Sequence, residues 1–238
     1  MKIDFRLTDC MELLSSLPDE SVDCIITDPP FRMTKRGKSC RPNYMHDNMD
    51  ESLFDYDLIP AERWFKECYR VLGEETHFYV FTNVQSLKDY LEAAEKTGFK
   101  LHNVLSMIKD TKMPNRWYLK YTELVLFFRK GKAKPINDMT SRDYFMAKTP
   151  TKKTGKVHIT QKPLDFVELL VTNSSNEGET ILDPFAGSCT TGIACMKNNR
   201  NFIGSEIDPK FYEIAKRRLT GSAADLNVDA EFLFGEAE

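Results

Sequence analysis

The 238-residue chain has no apolar run near the ~18 residues that a membrane-spanning helix requires. Its first residues, Met1-Lys2-Ile3-Asp4-Phe5-Arg6, place charges where a secretory signal would need an unbroken apolar core. The six cysteines (Cys10, Cys24, Cys40, Cys68, Cys189, Cys195) form no Cys-x-x-Cys pair, so reduced thiols in a cytoplasm are expected. The four histidines (His46, His77, His102, His158) lack metal-ligand spacing, and no metal site is expected. There is no Gly-x-Gly-x-x-Gly, no phosphate-loop lysine, no internal repeat and no low-complexity tract. What remains is a soluble globule with 41% hydrophobic and 29% charged residues, a composition that excludes dominant disorder. The length suits one domain with insertions, burying about 70–75% of its unfolded surface.

The net charge of −3 hides a strong segregation. Lys100 to Lys162 holds 15 Lys/Arg against 4 Asp/Glu, and Phe31 to His46 adds five more cations with no acid. The rest of the chain is correspondingly acidic. One basic surface laid on a polyanion is the reading this favours.

Short apolar runs at Ile3–Leu7, Val22–Thr27, Thr76–Thr82, Leu101–Ile108, Glu123–Phe128, Thr180–Asp183 and Asn201–Glu206 read as strands buried on both faces of a parallel sheet. Helical spacing links Phe65, Cys68, Tyr69 and Leu72. It recurs at Leu87, Tyr90, Leu91 and Ala94, at Leu164, Val167 and Val171, and at Phe211, Ile214, Ala215 and Leu219. These aromatics read as core. Strands alternating with helices predict an α/β fold, a doubly wound and mostly parallel sheet. Residues 31–56 and 130–160 resist assignment, and both stretches are basic.

Two motifs carry chemistry. Asp28-Pro29-Pro30-Phe31 directly follows the strand Val22–Thr27, where ligands bind in an open α/β sheet. The prolines fix φ and leave nearby carbonyls without competing amide donors. A rigid turn then presents a carboxylate, the Pro29 carbonyl and an aromatic face, which suits a planar ring bearing an exocyclic amino group. The second motif is Asp183-Pro184-Phe185-Ala186-Gly187-Ser188-Cys189-Thr190-Thr191-Gly192. A strand ends at Asp183, small residues allow close ligand approach, and Ser188, Thr190 or Thr191 can cap the helix that follows. About 20 residues on, Glu206 and Asp208 end the next strand, where an acid typically accepts from ribose hydroxyls. A nucleoside-containing cofactor without a phosphate grip fits.

With these residues the chain resembles the amino-group DNA methyltransferases of the permuted β class, in which the catalytic tetrapeptide precedes the cofactor loop. Leu7-Thr8-Asp9-Cys10 resembles the acidic adenosine-contacting turn, Asp28-Pro29-Pro30-Phe31 the catalytic motif, and Tyr121 to Phe128 the late core strand. His158-Ile159-Thr160-Gln161-Lys162-Pro163 is similar to the element that helps hold the methionine moiety. Asp183 to Thr191 and Ile203 to Asp208 complete the set. The order is that of a permuted, Rossmann-like class I fold that uses S-adenosyl-L-methionine. Cys189 stands where glycine is usual, Ile159 replaces a proline, and Phe31 a tyrosine.

The resemblance implies methyl transfer to N6 of a flipped-out adenine, by a restriction–modification or orphan methylase. Asp28, Pro29, Pro30 and Phe31 are the implied catalytic residues. Asp9, Cys10, Asp28, Gln161, Lys162, Asp183, Pro184, Phe185, Gly187, Ser188, Thr190, Thr191, Glu206 and Asp208 would hold the cofactor. Methylation of N4 of cytosine is the alternative within the class, and a nucleic-acid-binding module with impaired catalysis is the alternative outside it. A single domain over 1–238 is expected, with DNA-contacting insertions at 32–56 and 129–157. Arg32, Lys35, Arg36, Lys38, Arg41, Arg142, Lys152 and Lys153 would contact double-stranded DNA, with Asn43 and Asn137 as further base readers. The recognition segment is short, so specificity is expected to be brief or relaxed, or aided by a second subunit in a homodimer.

Overall fold

A computed structural model describes residues 1–30, 59–113, 118–132, 134–148 and 161–236. The elements in chain order are β1 (Lys2–Leu7), α1 (Cys10–Ser16), β2 (Val22–Thr27), α2 (Ala61–Val71), β3 (Leu72–Thr82), α3 (Val84–Thr97), β4 (Lys100–Met113) and β5 (Lys120–Arg129). There follow β6 (Tyr144–Ala147), α4 (Leu164–Ser174), β7 (Thr180–Asp183), α5 (Thr190–Lys197), β8 (Asn201–Glu206), α6 (Pro209–Leu226) and β9 (Glu231–Glu236). Among the described residues no helix is long and apolar enough to cross a membrane.

The nine strands form one sheet in the order β6-β4-β5-β3-β2-β7-β8-β1-β9. β5 pairs antiparallel with β3 and β4; every other pairing is parallel. The chain leaves β7 toward β8 but leaves β2 toward β3. Adjacent β2 and β7 therefore form the point where the winding reverses, and it is beyond the carboxyl ends of such strands that open α/β sheets bind ligands.

Both sheet faces are covered, which explains why the strands show no polar alternation. On β2, Ile25 packs with Leu13, Leu14, Trp64, Phe65 and Tyr90 of α1, α2 and α3. Its neighbours Cys24 and Ile26 point the other way, into a core with Phe166, Leu170 and Ile193 of α4 and α5 and Tyr212 and Leu219 of α6. Burying each such side chain contributes about 1.5–3 kcal/mol.

Three predicted strands, β2, β7 and β8, have the expected limits, and the others extend beyond them. Leu72, placed by its spacing on a helical face, instead caps α2 and begins β3. Two edge strands were not anticipated. β6 has four residues within the unassigned 130–160 stretch, while β9 pairs with β1 and turns Phe232 and Phe234 toward α6. Helix α1 was also missed, because its single buried face (Cys10, Leu13, Leu14) is under two turns long.

Candidate active site

Thr27 and Asp183 end adjacent strands, and their side chains bond the two strand ends together. The Asp183 carboxylate accepts from the Thr27 hydroxyl at 2.8 Å, the Thr191 hydroxyl at 2.8 Å and the Phe185 amide at 3.2 Å. It is buried, and burial pushes its pKa up to about 7 despite these donors. Asp183 thus ties β2, β7 and the start of α5 together, positioning the loop between them.

None of the three expected hydroxyl caps serves α5. Cys189 is its N-cap, in the left-handed region at φ 58°, without a side-chain cap. Thr191 is committed to Asp183, while the Ser188 carbonyl and hydroxyl and the Thr190 hydroxyl accept from Arg218 of α6 at 2.6, 3.3 and 3.2 Å. Arg218 carries no motif signature and was not legible from sequence alone. Cys189 is buried, and desolvation raises its thiol pKa. It fits because Gly192 follows: a Cβ there would come within 2.6 Å of its sulfur.

The residues fit the expected cofactor. Gly187 has φ 54°, and a Cβ built on it would meet no atom within 4 Å, leaving the backbone open to a ligand. Glu206 ends β8 half-buried and accepts from the Asp208 amide at 2.9 Å; burial raises its pKa. Phe185 packs edge-on against Trp64 of α2, with centroids 5.4 Å apart. Pro184 is fixed by Ser205, whose hydroxyl donates to its carbonyl at 2.9 Å. Asp9 and Asp208 cap α1 and α6 by accepting from Met11 and Lys210 amides, both at 2.7 Å, and Cys10 is buried in α1. Gln161 directly precedes Lys162 in the segment entering α4.

Asp28 projects from the end of β2. Lys162 Nζ donates to its Oδ2 at 2.5 Å, so this ammonium sits on the Asp28 carboxylate. Oδ1 is sealed from solvent and has no hydrogen-bond partner among the described residues. Burial raises the Asp28 pKa, with Lys162 working against it. On its other side Lys162 lies 3.4 Å from Glu123 of β5, which also pairs with Lys109 of β4, and its ammonium is 5.0 Å from the Phe81 ring centre. The late strand was legible, but the roles of Glu123 and Lys109 were not.

Pro29 is buried and Pro30 exposed. Phe31 and the expected DNA contacts Arg32, Lys35, Arg36, Lys38, Arg41, Asn43, Lys152 and Lys153 lie outside the described residues. Arg142 is exposed beside β6, its guanidinium donating to the Tyr144 hydroxyl at 2.7 Å. β6 is four strands from β2, roughly 19 Å at about 4.8 Å per strand.

Part of the expected second insertion is corrected. Arg129 pairs with His77 and Lys100 at the amino edge of the sheet, because β5 runs antiparallel; residues 129–132 therefore leave on the edge opposite Asp28. Lys130 is buried, donating to the Leu72 carbonyl at 2.6 Å beside Glu20 and Glu74. Asn137 is also not placed to read a base, since its amide donates to the Thr172 and Ser175 carbonyls at 2.8 and 3.0 Å. Among the described residues no three His, Cys, Asp or Glu side chains gather into a metal-ligand set.

The reversed winding, the Asp28 turn and the open loop at Gly187 define a Rossmann-like methyltransferase. A family model described as DNA methylase, of the N6 and N4 type, matches residues 22–217, and the chain belongs to that family. It is 30% identical to the type II methyltransferase M2.LlaDCHI of Lactococcus lactis subsp. cremoris, over 90% of this chain and 88% of that one. Among solved structures, the M1.HpyAVI complex with S-adenosyl-L-methionine is 27% identical, with a TM-score of 0.70 over 91% of this chain and 98% of that one. The cytosine-N4-specific PvuII DNA methyltransferase shares the fold at 18% identity and a TM-score of 0.70, over 98% and 95% of the two chains. The protein is an S-adenosyl-L-methionine-dependent DNA amino-methyltransferase.

Proposed function

We propose that the methyl acceptor is the exocyclic N6 of adenine, flipped out of double-stranded DNA into the crevice beside Asp28. The observation that carries this reading is Asp28 Oδ1, a sealed acceptor without a partner among the described residues, beside an oxygen already held by Lys162. Leaving such an atom unsatisfied costs about 1–3 kcal/mol, and an amine N–H satisfies it. The Asp-Pro-Pro-Phe form of the motif supports adenine over cytosine.

Bound S-adenosyl-L-methionine supplies an electrophilic methyl group on sulfur. Gly187, Phe185, Glu206, Asp9 and Gln161 would hold it, with Asp183 and Arg218 shaping the loop. Asp28 Oδ1 and the Pro29 carbonyl accept the two amine hydrogens, favouring a more tetrahedral nitrogen and aiming its lone pair outward from the ring. Phe31 stacks on the base, and its face stabilises developing positive charge by about 0.5–2 kcal/mol. Orientation supplies most of the remaining acceleration. Flipping costs a few kcal/mol, because a stacked base cannot reach a carboxylate at the foot of a crevice. The basic segments 32–56 and 133–157 belong to the same single domain and contact phosphates around the flipped base; brief specificity or a second subunit completes recognition.

Nucleoside mass spectrometry of unmethylated DNA incubated with the protein and S-adenosyl-L-methionine tests this. N6-methyladenine is expected from the wild type and not from Asp28→Ala, while calorimetry shows that the variant still binds cofactor. N4-methylcytosine as the product overturns the adenine assignment. Equal loss of cofactor binding in Asp28→Ala would make Asp28 structural.

A further inference from the structure

Four charged side chains of alternating sign cross the site: Lys109 on β4, Glu123 on β5, Lys162 before α4 and Asp28 after β2. Lys109 Nζ pairs with Glu123 Oε1, Glu123 Oε2 lies 3.4 Å from Lys162 Nζ, and Lys162 donates to Asp28 Oδ2 at 2.5 Å. Glu123 uses a different oxygen for each lysine. The four side chains are mostly shielded, between 11% and 25% exposed. Resting on the reading of Asp28 as the acceptor of the target amine, we infer that Glu123 is a positioning residue for methyl transfer: with Lys109 it holds the Lys162 ammonium on one oxygen of Asp28 and so leaves the other for the amine.

The geometry requires more than a simple ion pair. A lysine ammonium is a point charge on a flexible four-carbon stem and does not by itself choose between two carboxylate oxygens. Lys162 is fixed from three directions: Asp28 Oδ2, Glu123 Oε2, and the Phe81 ring centre 5.0 Å away. Glu123 is itself fixed by Lys109, on a strand paired to its own in a register that sets Met107 opposite Glu123. Rigid sheet pairing thereby sets the position of a group outside the sheet, Lys162 in the segment before α4. Two cations and two anions also compensate one another where solvent has little access. Burial works to raise the Glu123 pKa, but Lys162 and Lys109 outweigh it and keep the carboxyl ionised.

The test follows the Asp28 carboxyl in variants that leave Asp28 intact. Among the described residues, the charged and titratable groups facing it are Lys162, Glu123 and Lys109, together with Asp183 of β7 and Tyr90 of α3. Glu123→Gln removes an anion that raises the Asp28 pKa, and Lys109→Met removes a cation that lowers it. The acid limb of the kcat profile should therefore move to lower pH in Glu123→Gln and to higher pH in Lys109→Met. In Glu123→Gln, kcat should fall roughly 10- to 100-fold as Lys162 loses its second anchor, with KM for S-adenosyl-L-methionine within about twofold of wild type. Acid limbs that stay put or move together, or an unchanged kcat, overturn the inference.

Carbon-13 NMR of aspartate carboxyls, with Asp28 assigned by Asp28→Asn, gives the same opposite shifts without turnover. If the wild type methylates neither adenine nor cytosine, the proposed function fails, while the NMR titration still decides the charge array. Should Glu123→Gln fail to fold by circular dichroism, the rise in Lys109→Met carries the test, and its absence refutes the array.

Discussion

Replacing Asp183 by asparagine should flatten the pH dependence of folding and stabilise the protein above neutrality. The Asp183 carboxyl has an ordinary value of 3.8 and is pushed up to about 7 when folded, chiefly because burial disfavours its charge. The folded chain therefore holds this proton more tightly than the unfolded chain. Stability from this group is fully present below the unfolded value and is lost as pH rises toward the folded one. Three tenfold steps in proton affinity correspond to about 4 kcal/mol, of which roughly 2–3 kcal/mol is lost between about pH 5 and 8. Asparagine removes the titration at nearly constant volume. Its oxygen still accepts from Thr27 and Phe185, and its amide donates to the Thr191 hydroxyl in place of the present bond. Urea unfolding of both proteins across that range, without cofactor, gives the difference directly. The variant should gain on the wild type steadily from pH 5 to 7 and level off above. A pH-independent difference, or one that favours the wild type more as pH rises, refutes the reasoning.

Cys189→Gly should leave stability within about 1 kcal/mol, because relief of the left-handed backbone offsets the lost sulfur contacts. The wild-type thiol should resist a disulfide reagent until the chain unfolds, since it is buried with a raised pKa. Arg218→Met should weaken S-adenosyl-L-methionine binding about tenfold by calorimetry, as the charged hydrogen bonds fixing Ser188 and Thr190 disappear. Folding should suffer less, because Arg218 is partly buried and desolvation already lowers its pKa. Neutralising Lys152 and Lys153 together should flatten the salt dependence of DNA binding by about two in logarithmic slope. An unchanged slope removes them from the interface.

The fold was readable where strands are buried on both faces, since continuous apolar runs bounded by turn residues have few other uses. β2, β7 and β8 are of this kind, and they carry Asp28, Asp183 and Glu206 at their carboxyl ends. The edge strands were harder for a physical reason. Among the described residues β6 pairs only with β4 and spends half its side chains on solvent, so its four residues resemble a loop. Between Asp183 and Thr191, the strand, loop and helix were legible but the use of each hydroxyl was not. Thr191 turns back to Asp183 of its own motif, and Ser188 and Thr190 serve Arg218, which arrives from α6.

The sequence alone determined the apolar strands, the order of the two motifs and the rigid Asp-Pro-Pro turn, all of which depend on neighbours within a few residues. Only the tertiary structure decided which oxygen of Asp28 the Lys162 ammonium holds. That choice depends on charges from β4, β5 and the segment before α4, up to 134 residues away along the chain, which sheet pairing brings within hydrogen-bonding reach.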